Sequence, residues 1–357
     1  NFTDLTPVLS LTRLERLSLG HTGTQVNYEL VGELTRLEYL EISHIDGSGG
    51  LGGAQWLSNL TRLTGLNLRS SGLTSLDAIG SLTALTELQV GSNPGLDVSG
   101  LSGFIQLRGL EVENMNLSDL GFLSGLESLE WLQLQDNQIS DLLPLSNLTQ
   151  LNSLTLWNNQ VSDVTPLAGL TNLRHLSLGY NGLSDGSSLS LLTQINSLDL
   201  NGNNLSDVSW ASSLTQLNSL SVSDNQISDL SSLSNLANLR WLYVGNNQLT
   251  SLTLSDLPNL HGISAHNNQI SSVSLSNIPD LYWIDLNDNQ LTDLTDLGAF
   301  LANQPNNQGW WFELSLERNG ITDLNPLAGL ERMWSLNLNY NAIEDVTPLS
   351  GMVNLGQ

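Results

Sequence analysis

Along almost the whole chain, apolar residues return at fixed offsets rather than in blocks. From Leu129 the pattern Leu-x-x-Leu-x-Leu-x-x-Asn-x-Ile-Ser-Asp-Leu-x-Pro-Leu-x-x-Leu-x-x runs for 22 residues and then begins again. Its first position falls at Leu14, Leu37, Leu63, Leu85, Leu107, Leu129, Leu151, Leu173, Ile195, Leu217, Leu239, Leu260, Leu281, Trp311 and Met333, which makes fifteen repeats over residues 14–354. Residues 1–13 read as a partial repeat and 355–357 as the start of a further one. A period of this length marks a solenoid, whose units bury their apolar faces against their neighbours.

Each unit predicts its own elements. Alternation at Leu132 and Leu134 is a short strand with side chains on both faces, and Asn137 after it can hydrogen-bond the backbone of the turn. Stacked turns then form an asparagine ladder. Leu142, Leu145 and Leu148 sit at a spacing of three, which suits a 3₁₀ turn on the convex side. Pro144, Pro166, Pro326 and Pro348 fit its start, where a missing N–H costs little. Stacked at roughly 4.8 Å per strand, the repeats predict a parallel sheet about 70 Å along its arc. The expected fold is an α/β solenoid: a horseshoe with a parallel concave sheet, short 3₁₀ turns on the convex side and one leucine core.

These residues carry a resemblance. Leu151-Asn152-Ser153-Leu154-Thr155-Leu156 through Asn159, with Val161-Ser162-Asp163-Val164-Thr165-Pro166-Leu167, resembles the 22-residue leucine-rich repeats of bacterial internalins, over about residues 1–355. The resemblance implies a leucine-rich repeat fold, a concave face that binds host surface proteins, and flanking regions comprising a helical cap and an immunoglobulin-like domain. Extracellular eukaryotic relatives usually carry cysteine-rich caps, so this cysteine-free chain points to an extracellular or cell-surface bacterial protein. Because the chain opens in a half-repeat, it is expected to start inside a larger polypeptide.

Departures from the period mark where function could have been added. The unit at Leu37 carries Asp46-Gly47-Ser48-Gly49-Gly50-Leu51-Gly52-Gly53, a glycine-rich loop without the lysine of a phosphate cradle, hence a bulge. Thr22, Ile45, Ser71 and Met115 replace the ladder asparagine in early units, which should make that end less regular. Two 21-residue units share the altered convex segments Ser255-Asp256-Leu257-Pro258 and Ser276-Asn277-Ile278-Pro279, expected to change the local curvature. The next gains eight residues near 302–309, ahead of Trp310, and Trp311 is expected to fill a core leucine slot.

Composition narrows the chemistry. Ten basic residues, all arginine, against 35 acidic ones give a net charge of −25, a field that repels nucleic acid and anionic membranes. No run of about 18 apolar residues is present to insert into a membrane. Without cysteine there are no disulfides, thiolate metal sites or cysteine nucleophiles. Nothing in the pattern sets an oligomeric state.

Residues flanking the two strand leucines point away from the core and form the expected binding face. Early units place Glu41, Glu87, Glu111 and Glu113 there, an acidic patch with Arg69 nearby. Middle units place Trp131, Gln133, Gln135, Asp136, Trp157, His175 and Tyr180; later ones Trp241, Tyr243, His266, Trp283, Asp285, Asn287 and Asp288. Trp241 and Trp283 share a column two units apart, a separation of roughly 10 Å. A protein partner would use these aromatics as anchors, whereas a glycan would stack sugars on the indoles and hydrogen-bond Asp and Asn. A third reading has neighbouring aromatics merely covering one another. The preferred reading is a non-enzymatic recognition or adhesion module binding a protein through the concave face, with a glycan-binding solenoid as the alternative.

No catalytic residues are assigned, because no nucleophile motif appears and a serine-rich repeat makes chance triads easy. His21 and His44 occupy equivalent positions with Glu41 between them, but a pair without a third strong ligand predicts no metal site. His261 adjoins a core slot and reads as structural or solvated. Asp119, Asp141, Asp163, Asp185, Asp207 and Asp229 form a column best explained as caps of the convex turns. No cofactor is expected beyond loosely held calcium along that column.

Overall fold

The computed structural model describes residues 4–21, 26–45, 50–234, 236–304 and 311–356. Thr22, residues 46–49 of the glycine-rich loop, and residues 305–310 with Trp310 lie outside the described residues. The chain divides into two compact units, Asn1–Leu173 and Arg174–Gln357.

In unit 1 the first strands are β1 (Arg16–Ser18), β2 (Tyr39–Glu41), β3 (Gly65–Asn67) and β4 (Glu87–Gln89). They continue through β5 (Gly109–Glu111), β6 (Trp131–Gln133) and β7 (Ser153–Thr155), stacked in chain order and all parallel. Register follows the repeat: Leu110 pairs with Leu132, and Leu132 with Leu154. Within one repeat Leu129, Leu132, Leu134, Ile139, Leu142, Leu145 and Leu148 are all at most 1% exposed. They fill the space between the sheet and the 3₁₀ turns, and each contributes roughly 1.5–3 kcal/mol of burial.

The asparagine ladder ties each repeat to the one before it. Asn137 accepts through Oδ1 from the N–H groups of Met115 (3.1 Å) and Leu117 (3.0 Å). Its Nδ2 donates to the carbonyls of Leu134 (2.9 Å) and Val112 (3.0 Å). Ser71, which replaces one ladder asparagine, is fully buried and donates its hydroxyl to the Leu68 carbonyl at 2.6 Å. The residue before each ladder position adopts positive φ, for instance +58° at Asp136 and +54° at Asn158, a region that Asn and Asp tolerate best.

The Asp column has a local structural use. Asp119, Asp141 and Asp163 accept from the N–H two residues on, each at 2.8 Å, at the start of the 3₁₀ turns Gly121–Leu123, Leu143–Leu145 and Thr165–Leu167. Pro144 and Pro166 occupy the first turn as expected.

Unit 2 begins with β8 (His175–Ser177), β9 (Ser197–Asp199), β10 (Ser219–Ser221) and β11 (Trp241–Tyr243). The two 21-residue units exchange the 3₁₀ turn for strands β12 (Ser251–Ser255) and β14 (Ser272–Ser276), which pair in parallel as a second small sheet. Between and after them, β13 (Gly262–Ser264) and β15 (Trp283–Asp285) extend the main sheet of this unit. The longer unit that follows forms an α-helix, α1 (Thr295–Ala302), where only a 3₁₀ turn was expected. The last strands are β16 (Phe312–Ser315) and β17 (Met333–Asn337), with a register shift between Phe312 and Glu313.

That shift corrects one expectation. Phe312, not Trp311, takes the core slot: Phe312 is 7% exposed and pairs with Met333, while Trp311 is 48% exposed and lies 6.1 Å from Trp334. The pairing slips on the β17 side, where Met333 faces Phe312 and Ser335 faces Glu313 with Trp334 between them, and the larger indole of Trp311 lies at the surface.

Candidate functional site

The sheet faces of the two units differ in chemistry. In unit 1 two of the four glutamates of the expected acidic patch are withdrawn from solvent, while Glu87 is exposed. Glu111 and Glu113 are 3% and 5% exposed, and Arg69 forms ion pairs with both, at 3.4 Å to Glu111. Burial pushes the Glu111 carboxyl above its ordinary value, and the Arg69 guanidinium pulls the other way. Gln135 donates to Glu113, and Gln133 is half-buried in register with Glu111. Glu41 accepts from the hydroxyls of Ser18 (2.5 Å) and Ser43 (2.9 Å). The His21 and His44 rings stack at 4.7 Å, and the described residues hold no cluster of three or more metal-ligating side chains.

Trp131 is half-buried because its indole lies across Gly109, the residue beside it on β5, where a Cβ would collide with the ring. Trp157 stands one-third exposed near the end of this unit. Asp136 lies at the strand edge and accepts from Asn158 Nδ2 at 2.7 Å.

In unit 2, His175 is exposed on β8, three registers from Trp241. Tyr180 is a positive-φ edge residue, 49% exposed, whose ring covers Gly202. Asp288 is also at the edge, 3.8 Å from Arg318. The structure brings together Trp241, Tyr243 and Trp283. The register runs Trp241, Gly262, Trp283 across β11, β13 and β15, so the two tryptophans share a column as expected.

Their rings do not stand 10 Å apart, however. The centroids are 6.4 Å from one another, tilted by 56°, and Tyr243 lies 6.5 Å from Trp283. Gly262 permits this, since a Cβ there would meet Trp241 Cζ3 at 2.5 Å and Trp283 Cε3 at 2.7 Å. Each contact of this kind is worth about 0.5–1.5 kcal/mol beyond burial. Two residues outside the expected site join the cluster: Tyr282 and His261 pack against Trp241 in near-perpendicular geometry, at 6.2 and 6.0 Å. Burial first, then Glu313 and Tyr243, raise the Tyr282 hydroxyl above its usual value. A signal for the cluster was present in the sequence, because a glycine flanked by bulky residues in one column leaves room for them to close.

Beside the aromatics, His266 covers Gly245 and meets Ser264 Oγ at 2.9 Å and Asp285 Oδ2 at 3.5 Å. Both partners address the same ring nitrogen, Nδ1, and Ser264 is only 5% exposed. A nucleophilic relay needs the carboxylate on one nitrogen and the hydroxyl on the other, so this trio positions the imidazole rather than activating a serine.

Residues 127–169 match a family model described as leucine-rich repeats in two copies. No curated protein matches the chain. Among solved structures, the chain is similar to an internalin of Listeria monocytogenes, InlF, with 31% identity over 90% of this chain and 86% of that one and a TM-score of 0.69. A leucine-rich repeat protein of Leptospira interrogans superposes with a TM-score of 0.81 at 22% identity, over 96% and 88% of the two chains. The plant peptide hormone receptor RGFR1, solved in complex with RGF2, matches at 20% identity with a TM-score of 0.64, over 96% of this chain and 65% of the receptor.

Proposed function

Because the chain belongs to the internalin family of bacterial leucine-rich repeat proteins, we propose that it is a recognition or adhesion module, displayed or secreted by a bacterium, that binds a protein partner. The observation that carries this reading is the Trp241–Tyr243–Trp283 cluster, assembled over Gly262 on the sheet face of unit 2. Aromatics held in place by neighbours lose little freedom on binding, which is what anchor residues at protein interfaces need. Membership of a family of binding proteins supports the same direction, as does a plant receptor of this fold holding a peptide.

A glycan platform is the weaker reading. Two indoles 6.4 Å apart and tilted by 56° do not offer separate parallel floors for successive sugar rings. No enzymatic role is proposed, since the Ser264–His266–Asp285 grouping on this face lacks relay geometry.

The test is capture of the purified chain on mammalian cell surfaces after trypsin or after glycosidases. Binding should vanish with trypsin, survive glycosidase, and fall by about thirtyfold or more in Trp241→Ala and Trp283→Ala, as for interface anchors worth about 2 kcal/mol or more. Trypsin-resistant, glycosidase-sensitive capture would establish the glycan reading instead.

A further inference from the structure

Immediately beyond the aromatic cluster the sheet face of unit 2 dips. A hollow of about 560 Å³ opens there, walled by Trp283 and lined by Glu313, Ser315, Ser335 and Asn337. Register explains it: Trp283 pairs with Glu313 and Glu313 with Ser335, while Asp285 pairs with Ser315 and Ser315 with Asn337. Beyond the large indole its own column carries Glu313 and then Ser335, and the neighbouring column carries Ser315 and Asn337; all are smaller than an indole, and the floor drops.

The polar groups of the floor are already engaged. Ser315 donates its hydroxyl to Asn287 Oδ1 at 2.7 Å, and Asn337 donates to Glu317 Oε2 at 3.0 Å. Glu317 in turn holds Arg318 at 2.7 Å. Glu313 is different: it is exposed, and no ion pair of its carboxylate occurs among the described residues. An indole wall beside an uncompensated carboxylate, over a shallow polar floor, is the arrangement that receives a cation.

From this juxtaposition we propose that the hollow is a subsite for a cationic side chain, arginine foremost, presented by a basic surface of the partner protein; the proposal rests on the reading of this face as protein-binding. A guanidinium is planar, so it can stack on Trp283 while forking to the Glu313 carboxylate, which an ammonium cannot do equally well. The opposite flank of the cluster is unsuited to a cation, because Arg240 precedes Trp241 there and His261 packs on its edge. The whole-chain charge of −25 attracts a basic partner and speeds its encounter.

The probe is N-acetyl-arginine methylamide, titrated into the full chain while the tryptophan indole N–H resonances are followed by NMR, with the Trp283 signal identified by its loss in Trp283→Phe. The neutral citrulline analogue is the control, and Trp131 in unit 1 is the internal reference. Arginine should move the Trp283 resonance with a dissociation constant on the order of 10 mM, and Glu313→Gln should weaken this by about fivefold. Citrulline should produce no saturable shift. Equal response to citrulline, an unchanged affinity in Glu313→Gln, or a stationary Trp283 signal would each overturn the proposal. The two readings fail separately. Capture on cells that depends on Trp241 and Trp283 while the arginine titration fails removes only the cation subsite, whereas capture indifferent to both tryptophans removes the protein-binding reading of the face.

Discussion

The indoles of Trp241 and Trp283 meet at 6.4 Å although a complete strand separates the backbones that carry them. The intervening residue is Gly262, and its missing side chain is what the two rings occupy. The cluster is thus set by three consecutive repeats acting together, not by any one of them.

Gly262→Ala should force the rings apart, at a cost of about 1–3 kcal/mol in stability for the overpacking. Binding of the protein partner should weaken by about tenfold through lost preorganisation. Urea denaturation and equilibrium binding on the same samples measure both. Unchanged binding with lowered stability would confine the glycine to a packing role.

Alanine at the five aromatic positions should separate by burial. Trp157, one-third exposed, is expected to leave stability within about 0.5 kcal/mol. Trp131, Trp241, Tyr243 and Trp283 are less exposed than Trp157 and should cost more, and at least two of the five should lose about 2 kcal/mol or more of binding. Thermal melts beside binding isotherms separate the two effects.

Asn225→Ala tests the ladder. Its Oδ1 accepts from Leu205 N–H at 2.9 Å, and its Nδ2 donates to the carbonyls of Leu200, Val222 and Ser223. Truncation leaves buried backbone groups without partners, and should cost about 2–4 kcal/mol. A loss under about 1 kcal/mol by urea denaturation would mean that water replaces the amide.

Acid should weaken the fold in a defined window. Asp163 and Asp293 are held below the ordinary carboxylate value first by the hydroxyls of Thr165 and Thr295, and Asp229 and Asp345 first by the N–H groups of Ser231 and Thr347. A depressed folded value means that the stabilisation is present above the unfolded value of about 3.9 and is lost as pH falls through the folded one. Glu111 opposes this, since its raised value gives stability that fades as pH climbs through it. Melting points should hold between about pH 7 and 5 and drop between about 4 and 2. Asp163→Asn and Asp229→Asn, which keep the acceptor oxygen, should soften that drop.

Salt and calcium act on the same column. Each capping Asp uses Oδ1 for its turn, and successive carboxylates within a unit repel through water, so added sodium chloride should raise the melting point. Calcium at matched ionic strength should raise it further, because its preference for oxygen ligands matches a column of carboxylates. A gain from sodium alone would leave screening as the only effect.

The period in the sequence was enough to place the strands, the leucine core, the ladder and the caps, because backbone register depends only on spacing. Ring positions were not legible from spacing: a column places Trp241 and Trp283 two strands apart, yet Gly262 lets the side chains close. Glu111 and Glu113 occupy outward positions but lie buried, since Gly91 beside them leaves a depression into which they fold against Arg69. Trp311 misled because the spacing of 22 residues to Met333 is kept while the pairing is not, Met333 facing Phe312 instead. The convex side was least legible, where β12 and β14 replace the short turn through the loss of one residue per repeat and α1 replaces it in the repeat that gains eight.

The ladder also gives the solenoid a direction. In Asn137 the side chain completes the turn of the preceding repeat, at Met115, Leu117 and Val112, and asks nothing of the repeat that follows. Deleting units from the carboxyl side therefore leaves the ladder N–H groups of the last remaining turn without their asparagine, whereas deletion from the amino side leaves an Oδ1 acceptor open to water, beside N–H groups such as those of Trp131 and Gln138 that lose their carbonyls. Growth of such an array is polar, like that of a filament with unlike ends. Duplicating a whole repeat keeps every link intact, which makes array length an easy quantity for evolution to vary.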